Sequence, residues 1–64
     1  MTKMEQIERI TKGERFISLE QLEEIKEIPD VYAENCGASG TGEGTLVSII
    51  NENNDNEICE VVVR

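Results

Sequence analysis

One stretch of this sequence has residue types and spacing that could bind a phosphate. Cys36 to Thr45, written CGASGTGEGT, holds four of the chain's five glycines. Gly37 and Gly42 match the two glycines of the phosphate-loop pattern G-x-x-x-x-G-K-[ST], in which backbone amides and a lysine hold phosphates. Glu43 stands at the lysine position and would repel the ligand. The stretch also leads into a predicted strand, whereas a phosphate loop leads into a helix. A flexible connector is favoured, and a glycine-loop nucleotide or metal binder stays as a remote alternative.

A second stretch, 51–57, alternates oxygen-bearing side chains in a way that resembles a calcium loop. These side chains belong to Asn51, Asn53, Asp55 and Glu57. The loop lacks the central glycine and the bidentate glutamate at position twelve that an EF-hand requires, and it lies between predicted strands. We therefore interpret it as a polar turn and expect neither a metal nor a cofactor.

Groups for catalysis are scarce. The chain has no histidine, the commonest general base, so Cys36 or Ser39 would have to pair with a carboxylate or a lysine. Two cysteines without histidine also cannot supply the usual four ligands of zinc. We predict that the protein is not an enzyme and assign no catalytic residue. Cys36 and Cys59 are expected to be free thiols, with a disulfide left open for an exported chain.

The residues that stand out are four glutamates within one predicted helix. On a helical wheel Glu20, Glu23, Glu24 and Glu27 fall on one half of the cylinder, and the aliphatic side chains of the segment fall on the other. Two like-charged pairs four residues apart each cost about 0.2 to 0.5 kcal/mol. A solvated face explains such a run, and so does a surface that docks on lysines and arginines. We call these four residues the glutamate ridge and predict that they bind a partner.

Net charge supports a basic partner. Fourteen acidic and six basic residues give −8 in a chain of 64 residues. Phosphate contacts require a basic patch, and the six cations do not cluster, so direct binding to nucleic acid or to an anionic membrane is not expected. The charge instead favours attraction to a basic protein surface. With neither a long apolar run nor a leader pattern visible, we expect a cytoplasmic protein.

Two helices are predicted in the first half of the chain. Thr2 and Glu5 form a capping box before a helix over about 3–12, with Gly13 as its left-handed end. Ser18 and Gln21 form a second box before the helix that carries the ridge, which Pro29 should end at residue 28. Residues 14–18 fit an extended link or a brief edge strand. Residues 29–35 fit a strand or a short helix, with a slight preference for a turn of helix.

The second half predicts an antiparallel hairpin. The β-branched runs 45–50 and 58–63 flank the polar loop. Pairing Ile50 with Ile58 places Thr45, Val47, Ile49, Cys59, Val61 and Val63 on one uncharged face, where the helices would pack. We predict one α+β domain over 1–64, with a helical half 1–36, a connector 37–44 and the hairpin 45–64. Two strands alone are marginal, so a short third strand or a second subunit is expected to complete the sheet, and a homodimer is one such solution.

These observations favour a small acidic interaction protein. It would bind a basic surface of a protein that handles nucleic acid, as an inhibitor or regulator that imitates nucleic acid; by analogy, phage and mobile-element proteins of this size act in this way. The alternative is a structural or assembly subunit that pairs through the edge of its hairpin.

Overall fold

The computed structural model describes residues 2–38, 42 and 44–64. In chain order the elements are α1 (Lys3–Thr11), β1 (Phe16–Ile17), α2 (Leu19–Lys26), β2 (Val31–Ala38), β3 (Thr45–Asn51) and β4 (Asn56–Val63). The predicted α+β class is confirmed. No helix in these described ranges is long and apolar enough to cross a membrane.

The strands form one mixed sheet in the order β1-β4-β3-β2. β2, β3 and β4 are antiparallel neighbours, and β1 runs parallel to β4 at one edge. The sequence predicted a hairpin of two strands, with a short third strand or a second subunit to complete the sheet. The two additional strands come from this chain, from the segments that the sequence left open.

Residues 31–35 are a strand, so the preference for a turn of helix there was wrong. Asp30 has a left-handed backbone with φ of 60°, and its carbonyl accepts a hydrogen bond from the Glu52 amide at 2.9 Å. From this turn Val31 points into the core with 7% exposure, while Tyr32 points outward. The last helix before this strand ends at Lys26, so the predicted helical half of 1–36 is too long.

The pairing of β3 with β4 follows the expected register over only part of its length. Thr45 lies opposite Val63 and Ile49 opposite Cys59, as expected, but Ile50 lies opposite Glu57 rather than Ile58. A bulge accounts for the difference, because it inserts an extra residue in β4 at Ile58. Bulges bend a strand and increase its twist. Ile58 packs against the core cluster as a result.

The core lies between the two helices and the uncharged face of the sheet. Its most buried side chains are Ile7 of α1, Ile25 of α2 and Ile49 of the central strand β3, each at most 1% exposed. The largest fully buried side chains among the described residues are thus isoleucines. Each one joins a different element to the same apolar cluster.

Glycines shape both ends of the connection between β2 and β3. Gly37 has φ of 95°, and the register of β2 shifts between Asn35 and Gly37, where Cys36 is the extra residue. At Gly44 a Cβ atom would clash with the carbonyl oxygen of Val63. The backbone angle at Gly37 and the close contact at Gly44 therefore explain why glycine occupies each position.

Candidate functional site

The glutamate ridge is carried by α2, which is fixed at its beginning by hydrogen bonds. Ser18 is the N-cap: its Oγ accepts from the Gln21 amide at 3.2 Å, and its own amide donates to Gln21 Oε1 at 2.8 Å. The nitrogen of the same side-chain amide, Gln21 Nε2, donates to the carbonyl oxygen of Ile10 at 2.9 Å. The predicted capping box is confirmed, and the contact with α1 adds a restraint that no local pattern predicts.

The inner side of α2 anchors the helix in the core. Ile25 is 0% exposed, Ile28 just after the helix is 8% exposed, and Leu22 packs against the same cluster. Burying each of these side chains is worth about 1.5 to 3 kcal/mol. The opposite side of the helix is therefore held in a defined orientation.

All four ridge residues lie on that opposite, solvent-exposed side. Glu20 is three and four residues from Glu23 and Glu24, and Glu27 is four and three residues from the same two, a spacing at which Cβ atoms on a helix lie about 5 to 6 Å from each other. Lys26 Nζ lies 3.7 Å from Glu23 Oε1, with both side chains largely exposed. Exposed pairs of this kind contribute about 0 to 1 kcal/mol, so Lys26 offsets little of the negative field.

Glu27 is the least favourable member of the ridge for the stability of the helix. It is the C-cap residue of α2; its amide donates to the carbonyl of Glu24 at 3.2 Å, and the next amide, that of Ile28, donates to the carbonyl of Ile25 at 3.1 Å. A carboxylate near the C-terminus lies at the negative end of the helix dipole, which costs about 0.3 to 1 kcal/mol. The ridge thus retains charge at a position where folding alone would favour a cation.

An apolar side chain lies beside the ridge. Leu19, the first residue of α2, is 59% exposed, the highest value among the large apolar residues that the structure describes. On the helical wheel it lies between Glu23 and Lys26. Its exposure makes Leu19 a candidate contact residue.

A second acidic surface, which we call the Tyr32 surface, consists of Tyr32 with Glu34, Glu52 and Asp55, and it was not among the sequence predictions. Tyr32 of β2 donates a hydrogen bond to Asp55 Oδ1 in the turn between β3 and β4, at 3.4 Å. Partial burial raises the pKa of the Tyr32 phenol, and the negative charges of Asp55, Glu34 and Glu52 raise it further. These carboxylates therefore act together at the phenol, although 23 residues separate Tyr32 from Asp55. Alternation along β2 could place Tyr32 on the outer side of the strand, but no sequence pattern indicates its contact with Asp55.

The stretch 51–57 uses its amide oxygens to form its own turn. Asn51 Oδ1 accepts from the Asn53 amide at 3.0 Å, and Asn54 Oδ1 accepts from the Asn56 amide at 2.9 Å. Asp55, with φ of 57°, contacts Tyr32. The interpretation as a polar turn agrees with this geometry. Over 2–38, 42 and 44–64, no group of three or more metal-ligating side chains lies together.

The glycine stretch connects two strands, because β2 extends to Ala38 and β3 begins at Thr45. A phosphate loop requires a helix after the glycines, and here a strand follows. Ser39 and Glu43, which entered the catalytic and phosphate hypotheses, lie outside the described residues.

Both cysteines are free thiols, and they lie on opposite faces of the sheet. Cys36 Sγ is 3.2 Å from Ser48 Oγ, on the face away from the helices, whereas Cys59 packs against the core cluster beneath α1 and α2. Burial raises the pKa of the Cys59 thiol, and the charges of Glu57 and Glu8 add to the effect.

Comparisons of this chain with family models, with characterised proteins and with solved structures found no significant match. The case for a function therefore depends on the surfaces described above.

Proposed function

We propose that this protein is a non-enzymatic interaction protein that binds a basic surface of a partner through the glutamate ridge. The observation that carries the proposal is the exposure of Glu20, Glu23, Glu24 and Glu27 on one side of a helix whose other side packs against the core. The net charge of −8 gives the same sign to the rest of the molecule and would attract such a partner over a distance.

The ridge and Leu19 have complementary roles in this proposal. Charges across an interface mainly increase the association rate and select the partner, whereas buried apolar contacts slow dissociation. Leu19 can insert into an apolar depression while Glu20 and Glu23 pair with cations around it. Because the orientation of α2 is already fixed, little ordering free energy opposes binding.

The class of partner follows from the chemistry of the ridge. A row of exposed carboxylates offers arginine and lysine the same charge-assisted hydrogen bonds that they form with phosphates. We therefore propose a protein that handles nucleic acid as the partner, an inhibitory or regulatory role through occupancy of its nucleic-acid site, and a cytoplasmic location. By analogy, small acidic phage and mobile-element proteins act in this way.

The test is a charge-reversal experiment with a matched control. A pull-down from the host lysate at low and high salt supplies the partner, whose affinity is then measured for the parent chain and for a Glu23→Lys/Glu24→Lys variant. The control is Glu34→Lys/Glu52→Lys, which changes the net charge equally on the Tyr32 surface. We expect the ridge variant to weaken binding about tenfold or more and the control to have a much smaller effect. Duplex DNA should compete for the same site on the partner and release the partner from this protein.

Equal effects of the two variants would show that only net charge matters, and the ridge would not be the binding surface. Binding that persists unchanged at high salt would exclude the electrostatic mechanism altogether, because screening weakens exposed pairs.

A second candidate function, assembly through a sheet edge, is favoured by the length of β2. This strand of eight residues forms one edge of the sheet. The longer open edge is therefore β2, whereas the expected hairpin edge on β4 is covered by β1 at Val62 and Val63 and is open only in the part of the strand before them. The bulge at Cys36 and the charge of Glu34 weigh against assembly, since both hinder edge pairing.

The hydrogen-bond directions identify the residue that tests assembly. The backbone of Val62 in β4 bonds outward to β1, so the backbone of the preceding residue, Val61, bonds inward to Val47 of β3. The direction alternates along β3, so the backbone of Ser48 bonds to Glu34 of β2. The amide of Ala33 therefore points to the free edge. An Ala33→Pro variant should abolish a salt-tolerant dimer in analytical ultracentrifugation, and a parent chain that stays monomeric would exclude self-assembly.

A further inference from the structure

A groove with a volume of about 210 Å³ lies between α1, the segment 13–15 and the outer edge of β4. It exists because β1 is short: within the described chain, β1 pairs with β4 only at Phe16 with Val62 and Ile17 with Val63. On the N-terminal side of Phe16 the chain turns away, as Glu14 donates its amide to the Thr11 carbonyl at 3.1 Å. The line along which β1 would continue is left open.

The edge of β4 in this groove has backbone groups that point outward. Val62 donates its N–H to the Arg15 carbonyl at 2.8 Å, and Arg64 donates to the Ile17 carbonyl at 3.0 Å, so these residues direct their backbone groups away from β3. Because the direction alternates along a strand, Glu60 also directs its N–H and C=O outward. In the described part of the chain, no strand pairs with Glu60 on this side. An open edge of this kind can accept an added strand.

The walls of the groove combine apolar surface with negative charge. Ile7 and Val61 form part of the lining at 1% and 2% exposure, and Met4 lies at the rim with 39% exposure. Their neighbours at the mouth include three exposed carboxylates and one cation: Glu8, Glu14, Glu60 and Arg15.

The size of the groove limits what it can bind. Sites for drug-sized molecules measure about 300 to 1,000 Å³, so this groove is too small for such a ligand. It matches a single long side chain. A lysine or arginine places its hydrocarbon stem on apolar surface and keeps its charged end at a polar rim, which is the arrangement that these walls offer.

We propose that this groove binds an extended segment of a partner, which pairs with the open edge of β4 at Glu60 and inserts one lysine or arginine side chain. The stem of that side chain contacts Ile7, Val61 and Met4, and its charged end lies among Glu8, Glu14 and Glu60. The inference deepens the proposed function and rests on it for the basic character of the partner. The groove is formed by α1 and β4, whereas the ridge lies on α2, so separate variants test the two surfaces.

The experiment is an NMR titration of the labelled full chain with two blocked synthetic peptides, Val-Lys-Val-Lys-Val and Val-Glu-Val-Glu-Val. We expect the lysine peptide to shift the amide resonances of the segment 58–61 and of Glu8, and the glutamate peptide to leave them unchanged. A Glu60→Gln variant, which removes the charge but keeps the amide, should raise the Kd about two- to fivefold. Glu60→Pro, which also removes the outward N–H, should raise the Kd further. Proline is tolerated where an edge N–H faces solvent, and circular dichroism verifies the fold.

A matched control, Glu52→Gln, removes one charge in the turn between β3 and β4, outside the groove lining, and should leave the peptide titration unchanged. Absence of shifts at millimolar lysine peptide, or equal shifts with both peptides, would overturn the inference. If the Glu60 variants still bind the captured partner normally while the ridge variant does not, the groove assignment fails and the proposed function stands. If the lysine peptide binds the groove but the ridge variant keeps full partner affinity, the proposed function fails and the groove assignment stands.

Discussion

Gln21 joins the two helices through one side chain: its Nε2 donates to the carbonyl oxygen of Ile10, 2.9 Å away, while its Oε1 accepts from the Ser18 amide at 2.8 Å. The Ile10 carbonyl is one of the last four in α1, which have no partner within the helix. A single amide group thus satisfies the end of α1 and the beginning of α2. This contact adds to the packing of α2 in the core, which holds the glutamate ridge in its orientation.

Replacement of Gln21 by methionine should therefore destabilise the fold. Gln21→Met keeps the length of the side chain but removes both hydrogen bonds, and we expect a loss of about 1 to 3 kcal/mol in the free energy of unfolding measured with urea. The control is the same change in α1, Gln6→Met, where no side-chain hydrogen bond is lost and the effect should stay within about 0.5 kcal/mol. Equal stability of the two variants would show that the contact contributes nothing.

The central position of Ile49 predicts a larger loss. Ile49 is 0% exposed in β3, the strand with a neighbour on each side along its length. Ile49→Ala should cost about 2 to 5 kcal/mol and Ile49→Val about 0.5 to 1.5 kcal/mol. A domain of 64 residues has a total stability of roughly 3 to 10 kcal/mol, so the alanine variant approaches complete unfolding.

The control for Ile49 is Leu19→Ala, because Leu19 is a large aliphatic residue that is 59% exposed. Its effect on unfolding should stay near 0.5 kcal/mol or below. A comparable loss at the two positions would contradict the assignment of the core. If Leu19→Ala leaves stability unchanged but weakens partner binding, the contact role proposed for Leu19 gains direct support.

Features that depend on a few neighbouring residues could be predicted from the sequence. The boxes at Thr2 with Glu5 and at Ser18 with Gln21 are formed as expected, since each needs only a turn of helix. Residues 31–35 were ambiguous because a short apolar run after a proline fits both helical and strand periods. These residues form a strand because they pair with β3, and a pairing between separate parts of the chain is not visible in the local sequence.

The same distinction applies to the surfaces. The periodicity of one helix was sufficient to group the four ridge glutamates. Tyr32 and Asp55 are in contact because β2 lies beside β3 and the turn that follows it. The groove at Glu60 exists because β1 pairs with only the last part of β4, while α1 lies over the neighbouring part. Neither relationship has a signal within any single segment.

The two thiols should react with alkylating reagents at different rates. Cys36 is exposed, whereas Cys59 is half-buried and its pKa is raised by burial and by the charges of Glu57 and Glu8. Because the thiolate is the nucleophile, iodoacetamide at neutral pH should modify Cys36 first. Mass spectrometry of the native protein measures both rates, with Cys36→Ser and Cys59→Ser as single-site controls. Similar rates in the folded protein would contradict this placement of Cys59.

The phenol of Tyr32 reports the charge of the second acidic surface. It is the only tyrosine in the chain, so the absorbance of tyrosinate follows it alone. Partial burial, the charge and hydrogen bond of Asp55, and the charges of Glu34 and Glu52 raise its pKa above the ordinary 10.0. Asp55→Asn should lower that pKa towards the ordinary value, whereas Glu20→Gln on the ridge should leave it unchanged.

The direction of the stability change follows from the same shift. Because the folded protein holds the phenolic proton more tightly than the unfolded chain, the contribution to stability is fully present below the unfolded pKa of about 10 and is lost as the pH rises through the folded pKa. The free energy of unfolding, measured with urea, should fall as the pH rises across this interval, and the fall should be smaller in Asp55→Asn. A parent chain whose tyrosine titrates at or below the ordinary pKa would show that the carboxylates do not surround Tyr32 in solution.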